Sequence, residues 1–248
     1  YYNLIDSIVG NKIHLSVNYS YSGLRLYYYI NQTSTFGSDI IPVLVANNEI
    51  ICNGQTYAYG IYTYYANASI VNNSIYCKAN TNYGMYIGTQ GTVYDLNVTN
   101  NIIMTEGGSS ANYILYLTAA ATVTTYPTLF DYNDYYTTGT NRNNFYVGGA
   151  MTFAKWQSSY NMDGHSVEVD PNFSNMPYDL SITQFSDQLK CNRNRQVMRD
   201  INNDARTSLT IMGAYSTPLF EGYDLQLEAF AEPVVGGIQC FPHSTPVK

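Results

Sequence analysis

Charge is what this 248-residue chain has least of: Asp, Glu, Lys and Arg make up 12% of it, about half the share usual for a globular protein. Basic charge is scarcer still. Eleven Lys and Arg stand against eighteen Asp and Glu, a formal net charge of −7, so there is no surplus of cations to neutralise phosphates and nucleic acid is not expected as a partner. No run of eighteen apolar residues occurs, so no membrane-spanning helix is expected. Four cysteines do not define a redox compartment. The 3.6-residue periodicity that a helical solenoid needs is missing as well.

What is present is 27 Tyr and 27 Asn, more than a fifth of the residues. Such a composition implies a β-rich, turn-rich chain, and its length allows a sizeable core. One short pattern recurs: two apolar or small residues, a position usually Asn, then Asn, any residue, and a large apolar one. The copies are Ile8–Ile13, Val45–Ile50, Ile70–Ile75, Val98–Ile103 and a degenerate Phe130–Tyr135. Their anchoring residues are Asn11, Asn48, Asn73, Asn101 and Asn133, and the variable spacing between them fits a solenoid whose loops differ in length while its strands do not.

A second strand candidate follows each of the first four anchors, at Gly23–Leu26, Gly60–Thr63, Gly84–Ile87 and Tyr113–Tyr116. A third leads into the next anchor, at Ile41–Val45, Ala68–Val71, Val93–Val98 and Thr128–Phe130. Three short strands per turn, separated by Gly, Asn, Ser and Thr, describe a parallel β-helix. Asparagine suits the bend because it tolerates left-handed dihedrals and its amide can bond the neighbouring coil, so stacked amides are expected to form a ladder.

These residues resemble a known family. The Asn-Asn-x-Ile bends, then Asp131-Tyr132-Asn133-Asp134-Tyr135-Tyr136, Trp156, Asp163-Gly164-His165-Ser166 and Asp170-Pro171-Asn172-Phe173, look like the right-handed parallel β-helix modules of large bacterial surface proteins. The closing Asp200-Ile201-Asn202-Asn203-Asp204-Ala205-Arg206 and Ile211-Met212-Gly213-Ala214-Tyr215 are similar to the ending of such modules, which belong to the pectin-lyase-like superfold. The pattern departs from the family at Ser186–Asn192, where Leu189, Lys190 and Cys191 replace a turn of small residues. The resemblance implies an all-β domain over 1–217, with a C-terminal capping segment from about residue 139. It also implies a secreted or cell-surface location, with many relatives exported by the type IX route. Residues 218–248 read as a linker and the first strands of a β-sandwich-like, immunoglobulin-type module, or as a strand added to the β-helix, within a longer multidomain chain.

For chemistry the repeats offer little. Between residues 40 and 130 the charged side chains are Glu49, Lys78, Asp95 and Glu106, and no two of the acids share a position relative to their anchors. A glycosidase needs paired carboxylates on adjacent turns, and Asp131 with Asp134, both in one bend, is the nearest approach. His165 lies between Asp163 and Ser166, but neighbours on an extended segment alternate faces, so no nucleophile relay follows from adjacency. Asp200, Asn202 and Asp204 have the spacing that opens a calcium loop, and Asp170 is a further candidate ligand. Ala205 and Ile211 occupy the places of its Gly and bidentate Glu. Apart from calcium no cofactor is expected. Cys52 and Cys77 fall four residues after their anchors on the inward parity, so they are expected to stack either as a disulfide or as two buried thiols.

The tyrosines are the feature most open to a functional reading. Tyr57, Tyr59, Tyr62, Tyr64 and Tyr65 fall in one coil among core residues, and Tyr83, Tyr86 and Tyr116 follow at comparable places. A ladder of aromatic faces flanked by Asn and Thr can stack on sugar rings, and Tyr62, Tyr64, Tyr86 and Tyr116 are the candidate contacts. The expected function is a non-enzymatic β-helix module acting as a rigid stalk, with an adhesive or glycan-contacting surface whose partner is a polysaccharide or another surface protein. Two alternatives stay open. One is a carbohydrate-active enzyme, a polysaccharide lyase or glycoside hydrolase, with a groove built from loops 31–39 and 106–110. The other is a cargo or assembly element binding proteins of the export machinery.

Overall fold

The computed structural model describes residues 7–27, 42–88, 95–120, 124, 128–139, 144–184 and 186–216. The expected module at 218–248 and the loop 31–39 lie outside them. Five successive turns each supply three strands: β1 (Ser7–Val9), β2 (Lys12–Val17) and β3 (Tyr21–Tyr27); β4 (Val43–Ala46), β5 (Glu49–Gly54) and β6 (Tyr57–Tyr64); β7 (Ala68–Val71), β8 (Ser74–Lys78) and β9 (Thr81–Gly88); β10 (Leu96–Thr99), β11 (Ile102–Glu106) and β12 (Ala111–Leu117); and β13 (Thr128–Asp131), β14 (Asp134–Thr137) and β15 (Phe145–Val147). The first, second and third strands of each turn assemble into three separate parallel sheets, here A, B and C. This all-β connectivity is compatible with the expected parallel β-helix, and the strands fall within one to three residues of the segments marked by the repeat.

Register turns the repeat into a core. Ile8, Val45, Ile70, Val98 and Phe130 align across sheet A. Ile13, Ile50, Ile75, Ile103 and Tyr135 align across B, and Leu24, Ile61, Met85, Leu115 and Phe145 across C. In the middle turns these side chains have no exposed surface. Like residues stacked on like bury large apolar side chains, which is the main stabilising term in such a stack. Cys52 and Cys77 also align, and both are buried free thiols rather than a disulfide.

The segment after β15 does two things. A short antiparallel strand β16 (Ala150–Met151) and helix α1 (Phe153–Tyr160) close the last turn. The helix is capped by the Thr152 hydroxyl, which accepts from Lys155 N, and ends at left-handed Asn161. Its Trp156 is fully buried and packs edge-to-face on Phe130 at 5.4 Å. From Val167 onward the chain runs back along the outside as a strap, with hairpin β17 (Phe173–Asn175) and β18 (Asp179–Ile182), then β19 (Lys190–Asn192) paired with β20 (Leu209–Ile211). Phe173, Leu180, Leu189, Cys191 and Met212 bury Ile51, Tyr76, Ile102 and Met104 on the outer side of sheet B, while Val197 packs against Ala46 and Val71 of sheet A. The residues Leu189 and Cys191 that depart from the family pattern are therefore the strap's apolar contacts.

Candidate functional site

In the three bends that carry paired asparagines, the two side chains have separate assignments in opposite directions. The second one, the anchor, faces inward and forms the ladder. Its Nδ2 donates to the Oδ1 of the next anchor at 2.9–3.0 Å, from Asn11 to Asn48, Asn73, Asn101 and Asn133 in turn. The same Oδ1 atoms also accept the anchors' backbone N–H groups. Each Nδ2 from Asn48 onward places its other hydrogen on a backbone carbonyl of the preceding turns. The ladder therefore has one polarity, and it ends on a carboxylate: Asn133 Nδ2 donates to Asp163 Oδ1 at 3.1 Å. Asp163 also accepts from Trp156 Nε1 at 2.6 Å, from Ser166 Oγ at 2.5 Å and from the Tyr135 hydroxyl. Burial pushes its carboxyl up to about 6 against the pull of these donors.

The first asparagine of the pair, left-handed at Asn47, Asn72 and Asn100, faces outward and holds the strap. Asn47 donates to the Arg199 carbonyl and accepts from Arg206 Nη2 at 2.9 Å. Asn72 donates to the Ile211 and Gly213 carbonyls, and Asn100 to the Asn192 carbonyl at 2.8 Å. The Arg206 side chain belongs to a residue only 1% exposed, and burial lowers its pKa to about 10. Buried Glu49 fixes the strap from beneath, accepting from Leu180 N at 2.9 Å and from the Tyr215 hydroxyl at 2.5 Å, and pairing with His14 Nε2 at 2.6 Å.

The other candidates are similarly committed to structure. The Asp200 carboxylate accepts from the Asn202, Asp204 and Ser216 backbone N–H groups and the Ser216 hydroxyl, while Asn202 and Asp204 are exposed. Among the described residues no group of three or more His, Cys, Asp or Glu is placed to hold a metal. His165 turns away from Asp163 and Ser166; its Nδ1 lies 2.7 Å from Asp131 Oδ2 and its ring stacks on Tyr132. Asp134 is buried, accepts from Val169 N, and burial pushes its carboxyl well up, so Asp131 and Asp134 serve different neighbours.

With the strap lying over sheets A and B, the outer face of sheet C is the one whose described surface is paved by side chains of a single kind. A one-residue break in the strand pairing makes this possible. In β6, Tyr59-Gly60-Ile61-Tyr62 puts both tyrosines on the outer face, because pairing is interrupted at Gly60 and the in–out alternation resumes one residue out of phase at Ile61. A Cβ on Gly60 would come within 2.3 Å of Ile75 Cγ2 and 2.4 Å of the Gly84 carbonyl. Tyr83-Gly84-Met85-Tyr86 in β9 repeats the arrangement, and Tyr113-Ile114-Leu115-Tyr116 in β12 follows it with Ile in the place of the glycine.

Two columns result. One is Tyr59, Tyr83 and Tyr113; the other is Arg25, Tyr62, Tyr86, Tyr116 and Tyr146. Rings in the second column stack nearly parallel at 4.7, 5.0 and 4.3 Å, and in the first at 4.7 and 5.9 Å. Between columns they meet edge-to-face at 5.3–5.7 Å, which the ring quadrupole favours. The rings thus turn their faces to one another, and all seven tyrosines are half-buried. Sheet C offers ring edges and hydroxyls rather than the open aromatic faces expected from the sequence.

Of the four tyrosines picked out as contacts, Tyr62, Tyr86 and Tyr116 share a column, whereas Tyr64 stacks with Tyr27 two residues further on. Sequence reasoning noted Tyr59 and Tyr83 without making them contacts, and missed Tyr113, Tyr146 and Arg25; the signal for six of the seven tyrosines is the Tyr-x-x-Tyr spacing. Burial, then neighbouring phenols, raises the pKa of Tyr59 and Tyr83 above the ordinary tyrosine value, and that of Tyr116 to about 12. At the end of the column the Arg25 guanidinium sits 4.8 Å from the Tyr62 ring centre and 5.0 Å from that of Tyr27. No known family, curated protein or solved structure matches the chain.

Proposed function

We propose that this chain is a right-handed parallel β-helix module, of the pectin-lyase-like kind, in a secreted or cell-surface bacterial protein. It acts as a rigid stalk with one glycan-contacting side. The hand follows from the strong right-handed preference of crossovers between parallel strands. The extracellular setting and a type IX export route rest on the resemblance of the bends and the closing segment. The glycan reading rests on one observation: sheet C carries seven in-register tyrosines on its outer face. Pre-stacked phenols lose little freedom on binding and present rows of hydroxyls beside apolar edges, a surface suited to the mixed polar and apolar surface of sugars.

The test is retention on a panel of immobilised polysaccharides, comparing the native chain with a Tyr86→Thr/Tyr116→Thr variant while monitoring release of new chain ends. Retention that the double substitution lowers tenfold or more, without new ends, is the expected result. Retention indifferent to both substitutions overturns the assignment to sheet C, and new chain ends overturn the non-enzymatic reading in favour of a carbohydrate-active enzyme.

A further inference from the structure

Arg25 differs from every other residue of the sheet C face. The strands β3, β6, β9, β12, β15 and β16 contain no Asp, Glu, Lys or His, and Arg25 is their one charged side chain. It is exposed and no carboxylate forms an ion pair with it among the described residues. Two aromatic rings hold its guanidinium by cation–π contact, which orders the group. In a chain of net charge −7, one ordered cation with no ion-pair partner among the described residues stands at one end of the described, otherwise neutral column. That column spans four strand steps, roughly 19 Å from Arg25 to Tyr146.

We infer that this column binds a glycan which is neutral along its length and carries one carboxylate at its end, with Arg25 gripping the carboxylate and Tyr62, Tyr86, Tyr116 and Tyr146 bonding the neutral sugars. The inference rests on the glycan reading above and adds the class of ligand. A guanidinium fork pairs with a planar carboxylate in a bidentate way. A single cation matches a single anion; a polymer charged on every unit would lay its remaining anions on a surface that offers no counter-charge, against the net negative field of the protein.

Titration of the full chain with a matched pair of oligosaccharides tests this, one ending in an acidic sugar and the other in its neutral counterpart, each of about four units. The acidic member is expected to bind about tenfold more tightly, with the preference falling as salt rises. Arg25→Gln is expected to bring the ratio close to one and Arg25→Lys to restore part of it. Equal affinity for the pair, tighter binding of a polyuronate, or tighter binding of an acidic peptide each overturns the inference while leaving glycan binding to be judged on its own. Binding of neither oligosaccharide, together with no retention on any polysaccharide, overturns the glycan reading itself.

Discussion

Asn72 and Asn73 are adjacent in sequence, yet their amides point to opposite sides of the wall: Asn73 donates inward to Asn101 and Asn72 outward to the strap. The left-handed dihedral of Asn72 makes the reversal. The two substitutions should therefore differ in size. Asn73→Ala strands several buried amide groups of its neighbours and is expected to cost about 3 kcal/mol or more. Asn72→Gly keeps the dihedral and loses two long bonds, about 1 kcal/mol or less. Urea unfolding of both variants checks the order, and equal losses would show that the ladder is not the stronger element.

Gly60 is held to its identity by space rather than by dihedral freedom. A Cβ there meets the Ile75 side chain and the Gly84 carbonyl at 2.3 and 2.4 Å, and the carbonyl cannot step aside. Gly60→Ala is expected to destabilise by about 1–3 kcal/mol and to weaken the near-ultraviolet circular dichroism of the coupled tyrosines. An unchanged signal would mean that the columns do not depend on the glycine.

Asp163 gives stability a definite pH dependence. Its folded value of about 6 lies above the 3.8 of the free carboxyl, so the native state holds the proton more tightly than the unfolded chain. Its contribution is fully present below about pH 4 and is lost as pH rises to about 6. The stability of the native chain minus that of Asp163→Asn should therefore be larger at pH 4 than at pH 7, by up to about 3 kcal/mol. A difference independent of pH would place the carboxyl in its ordinary range.

The phenols of sheet C predict behaviour at the alkaline end. Raised folded values mean that stability is lost as pH climbs from the ordinary tyrosine value near 10 toward 12. Spectrophotometric titration should show a late group of tyrosines, and Tyr86→Thr should advance part of it. A single ordinary titration step for all tyrosines would contradict the stacking.

Cys52, Cys77 and Cys191 are buried thiols, and burial pushes the pKa of Cys77 and Cys191 up, disfavouring the thiolate. They should resist a thiol reagent in the native chain and react on unfolding. Rapid native labelling of Cys52 or Cys77 would indicate that the coils open readily there.

The core was legible because it is periodic and local. Asn11 through Asn133 mark the bend between sheets A and B in every turn, and the side chains four residues after Asn48 and Asn73, those of Cys52 and Cys77, lie inward as the parity requires. The strap was not legible, because its partners are far apart in sequence: Arg206 meets Asn47 across 159 residues and Tyr215 meets Glu49 across 166. No local pattern reports such pairings. The site was half legible. Tyr62, Tyr86 and Tyr116 follow from their spacing, but the one-residue change of phase at Gly60 and Gly84 brings a second column to the same face, which strict alternation places on the inner side.

The one-way donation of the asparagine ladder makes each coil an interchangeable link. Any link that accepts from the coil before it and donates to the one after satisfies the corner, whatever its loops contain. Whole links can be gained or lost without rebuilding the bend, and each changes the length of the stack of turns by about 4.8 Å. Length is thus adjustable in fixed increments, while fractional insertions at the bends are ruled out.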